Sequence, residues 1–378
     1  MISIGSKGDI LKIAHIANWT PHACGLYESV RDLVVAERSL GVDARVVEVK
    51  VIPPMPSQVK PVGNPCERCG HVQLQHVTLP DSAPDWSEDR GVVKAPLTWL
   101  DEVDVICSHS GIAANIPHGN NVPRIHVAHG RPHSSFLLGQ QQNNHVWKAY
   151  QGYAKDDRWK AIVTLWPGFG QYWRLVFPKR VEEFDPFVDL ERWKPIQSTY
   201  GFGGLGGEPN IVVADVWRQD KDPFHTLFGF AKFAEANPKA KLHIYGLQPN
   251  DMQALSPVLD AMADKGMIGE VKGRIDNLVE IYNAADLLLT PHVIATRTIR
   301  EASACGLTVV AGGNQPYSPY HADPEQPGEY AAAIGRAWVD VKNHREARRS
   351  DARTMAELTF DPAKTAGQFI ELFGELTK

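Results

Sequence analysis

The sequence predicts an α/β protein built from two open, doubly wound parallel sheets, one in each half of the chain. Three observations predict it. Short Val- and Ile-rich runs recur along both halves, amphipathic stretches separate them, and several runs are apolar at consecutive rather than alternating positions. A strand buried on both faces of a parallel sheet reads that way, and strands that alternate with helices assemble into open α/β sheets. The length of 378 residues suits two domains of about 100–200 residues each.

The first series of strands is expected at Lys12–Asn18, Asp43–Val49, Val103–Ser108, Pro123–Ala128 and Ala161–Leu165. The second is expected at Asn210–Val216, Lys241–Gly246, Glu270–Gly273, Leu287–Thr290 and Thr308–Ala311. Leu26, Val30, Leu33, Ala36 and Leu40 recur at helical spacing, and Gly41 follows where a helix would stop. Phe224, Leu227, Phe228, Ala231 and Ala234 repeat the pattern, with Pro223 suited to a first turn. The break between the halves falls near 194–208, where the glycine-rich stretch YGFGGLGGEPN reads as a linker or hinge. An N-terminal domain is therefore expected over 1–194 and a C-terminal one over 209–359. A Pro-, Cys- and His-rich insertion at about 51–89 interrupts the first domain, and a closing helix at about 360–378 joins it.

Charge and composition exclude some classes. A net charge of −5 supplies no overall positive field for a polyanion. The first residues lack a secretory pattern and no apolar run approaches membrane-spanning length, so a cytoplasmic location is expected, the host cytoplasm if the protein is viral. Five cysteines are few and odd in number, which argues against a disulfide framework.

Doubly wound sheets bind ligands at the carboxyl ends of their strands, so motifs there carry the most weight. In NWTPHACGLYESV, Gly25 lets backbone approach a phosphate or sugar beside a helix start, although a plain strand-to-helix turn reads the same. His129, followed by Gly130, ends one strand, and His109 ends the preceding one; either imidazole can bond a sugar hydroxyl. Arg218 and Lys221 follow the first strand of the second half, where a guanidinium fork and an ammonium suit a diphosphate. A helix expected to begin near Thr296 would offer the backbone N–H groups of Thr298 and Ile299. Glu301 lies one turn in, placed to take the hydroxyls of a ribose or simply to complement the helix dipole.

Three segments together resemble the retaining GT-B glycosyltransferases of family four: FDPFVDLERWKP, GRIDNLVEIYNAADLLLTPH and REASACGLTVVAG. The closing FDPAKTAGQFIELFGEL is similar to that family's last helix. The resemblance implies two Rossmann-like domains facing a cleft and transfer of a sugar from a nucleotide sugar (UDP-, GDP- or ADP-linked) to an acceptor hydroxyl. It implies that Arg218 and Lys221, with Thr298 and Ile299, bind the donor diphosphate and that Glu301 holds the ribose. It also implies that His129 sits beside the transferred sugar as the catalytic residue, with Gly25, His109 and Arg297 on the donor and acceptor loops. Retention is implied, by front-face attack with the departing phosphate taking the acceptor's proton. Positive charge grows on the sugar and negative charge on the leaving diphosphate, which preplaced cations stabilise without a required metal. Two departures stand out. Eight positions before Glu301, where the family has a second glutamate, stands Val293, and VIATRT replaces a glycine-rich turn, bringing in Arg297.

Cys66 and Cys69 in C-x-x-C spacing, with His71 and His76, could hold a structural zinc that staples the insertion, but two ordinary loop cysteines are the favoured reading. The acceptor stays open among a glycan, a protein, a small molecule and a modified DNA base, the protein and the DNA base being kept open by a resemblance to glycosyltransferases of phage-like gene sets. A non-catalytic sugar-nucleotide-binding protein and a sugar-nucleotide epimerase on the same architecture are the competing readings, and Val293 favours the former.

Overall fold

The computed structural model describes residues 10–18, 25–49, 95–109, 116, 118–130, 152–215, 223–247, 249–273, 275–313 and 315–378; the side chains of 223, 224 and 249–254 lie outside that description. Contacts divide the chain into two compact units, Met1–Phe187 with Pro362–Lys378, and Val188–Asp361.

The first unit holds six parallel strands: β1 (Lys12–Asn18), β2 (Asp43–Val49), β3 (Val105–Ser108), β4 (Arg124–Ala128), β5 (Trp159–Thr164) and β6 (Arg180–Glu183). Their order is β2-β1-β3-β4-β5-β6, so the winding reverses between β1 and β3. Both faces of this sheet are buried. Ile13, Val105, Ile125 and Ala161 pack on one side with helix α1 (Gly25–Ser39) and the terminal helix. Ala14, Ile106 and Ile162 pack on the other with Trp159, Trp173 and Phe177, the last two from and just after α2 (Gly170–Val176). That two-sided burial is why the strand sequences lack alternation. At Gly41 the chain leaves α1 with φ +92, a left-handed turn that favours glycine.

The second unit holds β7 (Asn210–Ala214), β8 (Lys241–Tyr245), β9 (Ile268–Lys272), β10 (Leu287–Leu289), β11 (Thr308–Gly312) and β12 (Tyr320–Ala322), in the order β12-β11-β10-β7-β8-β9 and again all parallel. Here the winding reverses between β7 and β10. Its helices are α3 (Pro223–Ala236), α4 (Pro249–Asp264), α5 (Leu278–Ala284), α6 (Arg297–Ala304) and α7 (Pro327–Thr359), the last kinked at His344. The terminal helix α8 (Pro362–Leu376) belongs to the first unit and lies against α1 through Phe369 and Phe373.

Ten strands fall where the sequence places them, with shifts at the ends. The β4 ladder starts at Arg124 because Pro123 has no N–H to give. Two edge strands, β6 and β12, are absent from the sequence expectation: RVEE is too polar and YHA too short to stand out. The glycine-rich stretch around 201–207 is packed onto the second unit rather than spanning the division, which falls at Phe187/Val188. The Phe202 ring lies 4.0 Å from that of His243, and the Tyr200 hydroxyl donates to Glu270 at 2.5 Å. Among the described residues no helix is long and apolar enough to cross a membrane. The insertion at about 51–89, and with it Cys66, Cys69, His71 and His76, lies outside the described residues, as do Arg218 and Lys221.

Candidate active site

In the second unit the strand ends at the winding reversal carry a paired acid and base. Asp215 follows β7 and His292 follows β10, the two strands that adjoin at the switch. Asp215 Oδ2 lies 2.5 Å from His292 Nε2, each side chain 13% exposed. The backbone around them is fixed. The His292 carbonyl accepts from the Gln315 side-chain amide at 2.8 Å and from Gly312 N at 3.1 Å. Asp215 N donates to Tyr245 O at 3.2 Å.

Helix α6 points its first turn at the same place. Thr296 occupies the N-cap position, and the Thr298 hydroxyl donates to Ala214 O, the last carbonyl of β7, at 3.0 Å. The first-turn N–H groups, those of Thr298 and Ile299 among them, have no acceptor within the helix, and they sit at its positive pole. The Ile299 side chain turns into the core. Arg297 Nε donates to Glu301 Oε1 at 2.5 Å, both side chains 9% exposed. Burial pushes the Tyr282 hydroxyl well up, and the charges of Glu301 and Asp215 add to the effect while Arg297 opposes it. These groups therefore share one electrostatic neighbourhood. The arrangement can receive an anion at the helix start, beside a carboxylate and an imidazole able to take hydroxyl groups.

In the first unit a row of imidazoles runs from within β1 to the ends of β3 and β4. His15, within β1, meets Glu37 of α1 at 2.7 Å, Nε2 to Oε2, both side chains fully buried. On its other side His15 Nδ1 lies 3.0 Å from Nε2 of His109, just past β3. His109 Nδ1 then lies 2.7 Å from Nε2 of His129, just past β4 and half-buried. The His129 carbonyl accepts from the Trp166 indole at 3.1 Å. Burial holds the His109 ring well below the usual imidazole range, with further lowering from His129, His15 and His126. Burial raises Glu37, opposed by the charge and hydrogen bond of His15. Burial also raises the Cys107 thiol, helped by the charge of Glu37. Gly25 opens α1 and is exposed; its carbonyl accepts from the Ser29 hydroxyl at 2.8 Å.

His15, Cys107 and His109 bring ligand atoms within 4.8 Å of one another. The ring orientation does not suit a metal. The His15–His109 centroids are 5.3 Å apart and the His109–His129 centroids 5.0 Å. Each separation exceeds its N···N distance by two ring radii, so each nitrogen pair lies on the line between centroids. Such nitrogens share a hydrogen, whereas ligands must aim at a common point about 2.0–2.1 Å from each nitrogen. A recess of about 380 Å³ lined by Pro195, Asn283, Arg345 and Arg349 lies against α5 and α7, at the entry edge of β10. It is at the opposite end of that strand from Asp215 and His292.

Of the residues singled out in sequence, the structure brings Arg297, Thr298, Ile299 and Glu301 together on α6, and it brings His109 and His129 into contact. Sequence reasoning missed Asp215, His292, His15 and Glu37. His15 had a signal, as the polar residue inside the apolar run KIAHIAN. Glu37 had none, since a charged residue on an amphipathic helix normally faces water.

Two sheets wound in this way, with helices on both faces of each, define the GT-B fold, the fold that the sequence motifs imply. A glycosyltransferase structure from Rickettsia africae aligns with a TM-score of 0.66 at 11% identity, covering 98% of this chain and 99% of that one. HepE of Anabaena, in complex with UDP and glucose, aligns at 0.68 and 13% identity, covering 96% and 99%. Sucrose-phosphate synthase of Thermosynechococcus elongatus aligns at 0.67 and 16% identity, covering 97% and 99%. No protein-family model matches the sequence, and the comparison with curated proteins gave no match.

Proposed function

We propose that the chain is a retaining glycosyltransferase that moves a sugar from a nucleotide-sugar donor to an acceptor hydroxyl. The observation that carries this reading is the meeting of Asp215, His292 and the start of α6, with its Arg297–Glu301 pair, at the switch point of the second sheet. Open α/β sheets take ligands at that point. Arg218 and Lys221 follow Asp215 closely in sequence. They are assigned to the donor diphosphate, together with the N–H groups of Thr298 and Ile299, and Glu301 to the ribose. His129 is assigned to the transferred sugar, and Gly25, His109 and Arg297 to the flanking loops. The leaving diphosphate gains charge as the sugar–phosphate bond breaks, and fixed cations and helix N–H groups lower that barrier. Because HepE holds UDP and glucose, a UDP-sugar is the first donor to try.

A second reading, a sugar-nucleotide-binding protein without turnover, draws support from Val293, which stands where the resembled family has a glutamate. A thermal-shift screen of UDP-, GDP- and ADP-sugars tests the shared core of both. A donor at 100 times its Kd adds about 2.7 kcal/mol to the folded state, enough to raise Tm by several degrees. One nucleotide series should raise Tm in the wild type and fail to do so in Arg218→Ala/Lys221→Ala. No shift with any of them would reject both readings. Nucleotide release then separates transferase from binder.

A further inference from the structure

We propose that Glu37 is a positioning residue for His129: acting through His15 and His109, its carboxylate decides which nitrogen of the His129 ring carries the proton. Donors and acceptors along the row fix its protons. An ionised carboxylate only accepts, so the His15 nitrogen facing it, Nε2, must donate. A neutral ring has one N–H, so His15 Nδ1 is a lone pair and must accept from His109 Nε2. By the same step His109 Nδ1 accepts from His129 Nε2. His129 then carries its proton on the inward nitrogen and presents Nδ1 as an acceptor.

Protonating Glu37 on Oε2, the oxygen that faces His15, reverses every link, whereas an O–H on Oε1 would find no acceptor among the described residues. The acid O–H donates to His15 Nε2, His15 Nδ1 donates to His109 Nε2, and His109 Nδ1 donates to His129 Nε2, leaving the proton of His129 on Nδ1. The two states differ by one proton, which enters at His129 Nδ1. The Nε2–H bond of each ring breaks as its proton passes to the next acceptor inward, an Nδ1–H bond forms on each ring, and the innermost proton forms the O–H bond at Glu37. No ring becomes an imidazolium in either. Any mixed arrangement would set two N–H groups or two lone pairs face to face in a buried place, which costs the full penalty of unmade hydrogen bonds. Burial favours this route over charging a ring, since it raises Glu37 and lowers His109. Among the described residues, the groups facing the row from neighbouring elements do not break the logic. Cys107 Sγ lies 3.6 Å from His109 Nε2 with its thiol held protonated by burial. His126 is itself held neutral, pushed down to about 4, and α8 contributes only the Phe373 ring, 6.5 Å from His15.

The consequence for sugar transfer rests on His129 touching substrate, as proposed above; the tautomer claim does not. The test is ¹⁵N-histidine NMR of the full chain across pH, with the three signals assigned by His15→Gln, His109→Gln and His129→Gln. The expected result is three neutral rings that share one tautomer at each pH and change together at a single midpoint. In Glu37→Gln, which has no carboxylate to protonate and whose amide can donate or accept, the rings should stay matched to one another but their joint change with pH should vanish. Rings in different tautomers, one ring titrating alone to imidazolium, or an unchanged pattern in Glu37→Gln would each overturn the proposal. If Glu37→Gln does not fold, the wild-type titration decides alone. With an active donor, Glu37→Gln should lower kcat by about 10²-fold while leaving the donor KM within about twofold. The wild-type kcat should fall with acid at the same midpoint as the rings. Loss of activity in the wild type itself would sink the transferase reading and leave the NMR result standing.

Discussion

Asp215 and His292 are 77 residues apart in the chain and stand 2.5 Å apart in the fold, at the place where the second sheet reverses its winding. Neither β7 nor β10 announces the pair by itself. Their adjacency in the sheet creates it, and it marks the strand ends that the donor is proposed to use. Replacing Asp215 by Ala should cost about 1–3 kcal/mol, the penalty for a half-made buried hydrogen bond, and Asp215→Asn should keep most of that loss from appearing. Chemical denaturation of the three proteins checks this ordering.

Glu301 holds Arg297 on a largely buried face of α6. Glu301→Ala should therefore both destabilise the fold, by about 3 kcal/mol, and raise the donor KM. The double variant Arg297→Ala/Glu301→Ala removes the opposing charge as well and should recover part of the stability without recovering donor use. A double-mutant cycle read by denaturation and by donor titration separates the two effects. Equal recovery of both would place Glu301 away from the donor.

Two buried histidines set an acid limit on stability. Burial pushes His126 and His243 down to about 4 from the ordinary imidazole value. A base with a depressed pKa in the folded state binds fewer protons there than when unfolded. Its contribution is thus complete above about 6.5 and is lost as pH falls towards 4. Each ring should remove about 2 kcal/mol between pH 7 and 4.5, and His126→Gln should shrink the acid loss by about that amount. Glu37 works the other way, because its raised pKa gives stability at low pH that fades as pH rises. Urea midpoints of wild type, His126→Gln and Glu37→Gln across this range measure the three terms.

Gly246 adopts φ +94 just past β8, and a Cβ there would lie 2.3 Å from the Asp215 carbonyl oxygen. Gly246→Ala should cost about 1–3 kcal/mol and disturb Asp215 and His292 with it. Denaturation together with donor affinity shows whether the strand end and the donor site move as one.

The fold was legible in the sequence wherever a strand is buried on both faces. Lys12–Asn18 and Asp43–Val49 match to the residue because Ile, Val and Ala fill them and Gly41 ends the helix between them. Arg180–Glu183 and Tyr320–Ala322 were not legible, since an edge strand owes its pairing to its neighbour rather than to its own composition. The start of α6 near Thr296 was legible, but its Arg297–Glu301 pair was not read from the sequence although four residues make about one helical turn. The pair Asp215–His292 was invisible because sheet order brings it together and a single strand carries no record of that order, and His15–Glu37 because it depends on which face of α1 packs on β1.

The most direct test of the central claim is nucleotide release from a panel of UDP-, GDP- and ADP-sugars, with and without candidate acceptors, followed by ¹H NMR of the product's anomeric proton. The account expects release from one donor class that rises with acceptor, a product with the donor's anomeric configuration, and at least a tenfold loss in Glu301→Ala. Binding with no release under any condition, or a product of inverted configuration, would contradict it.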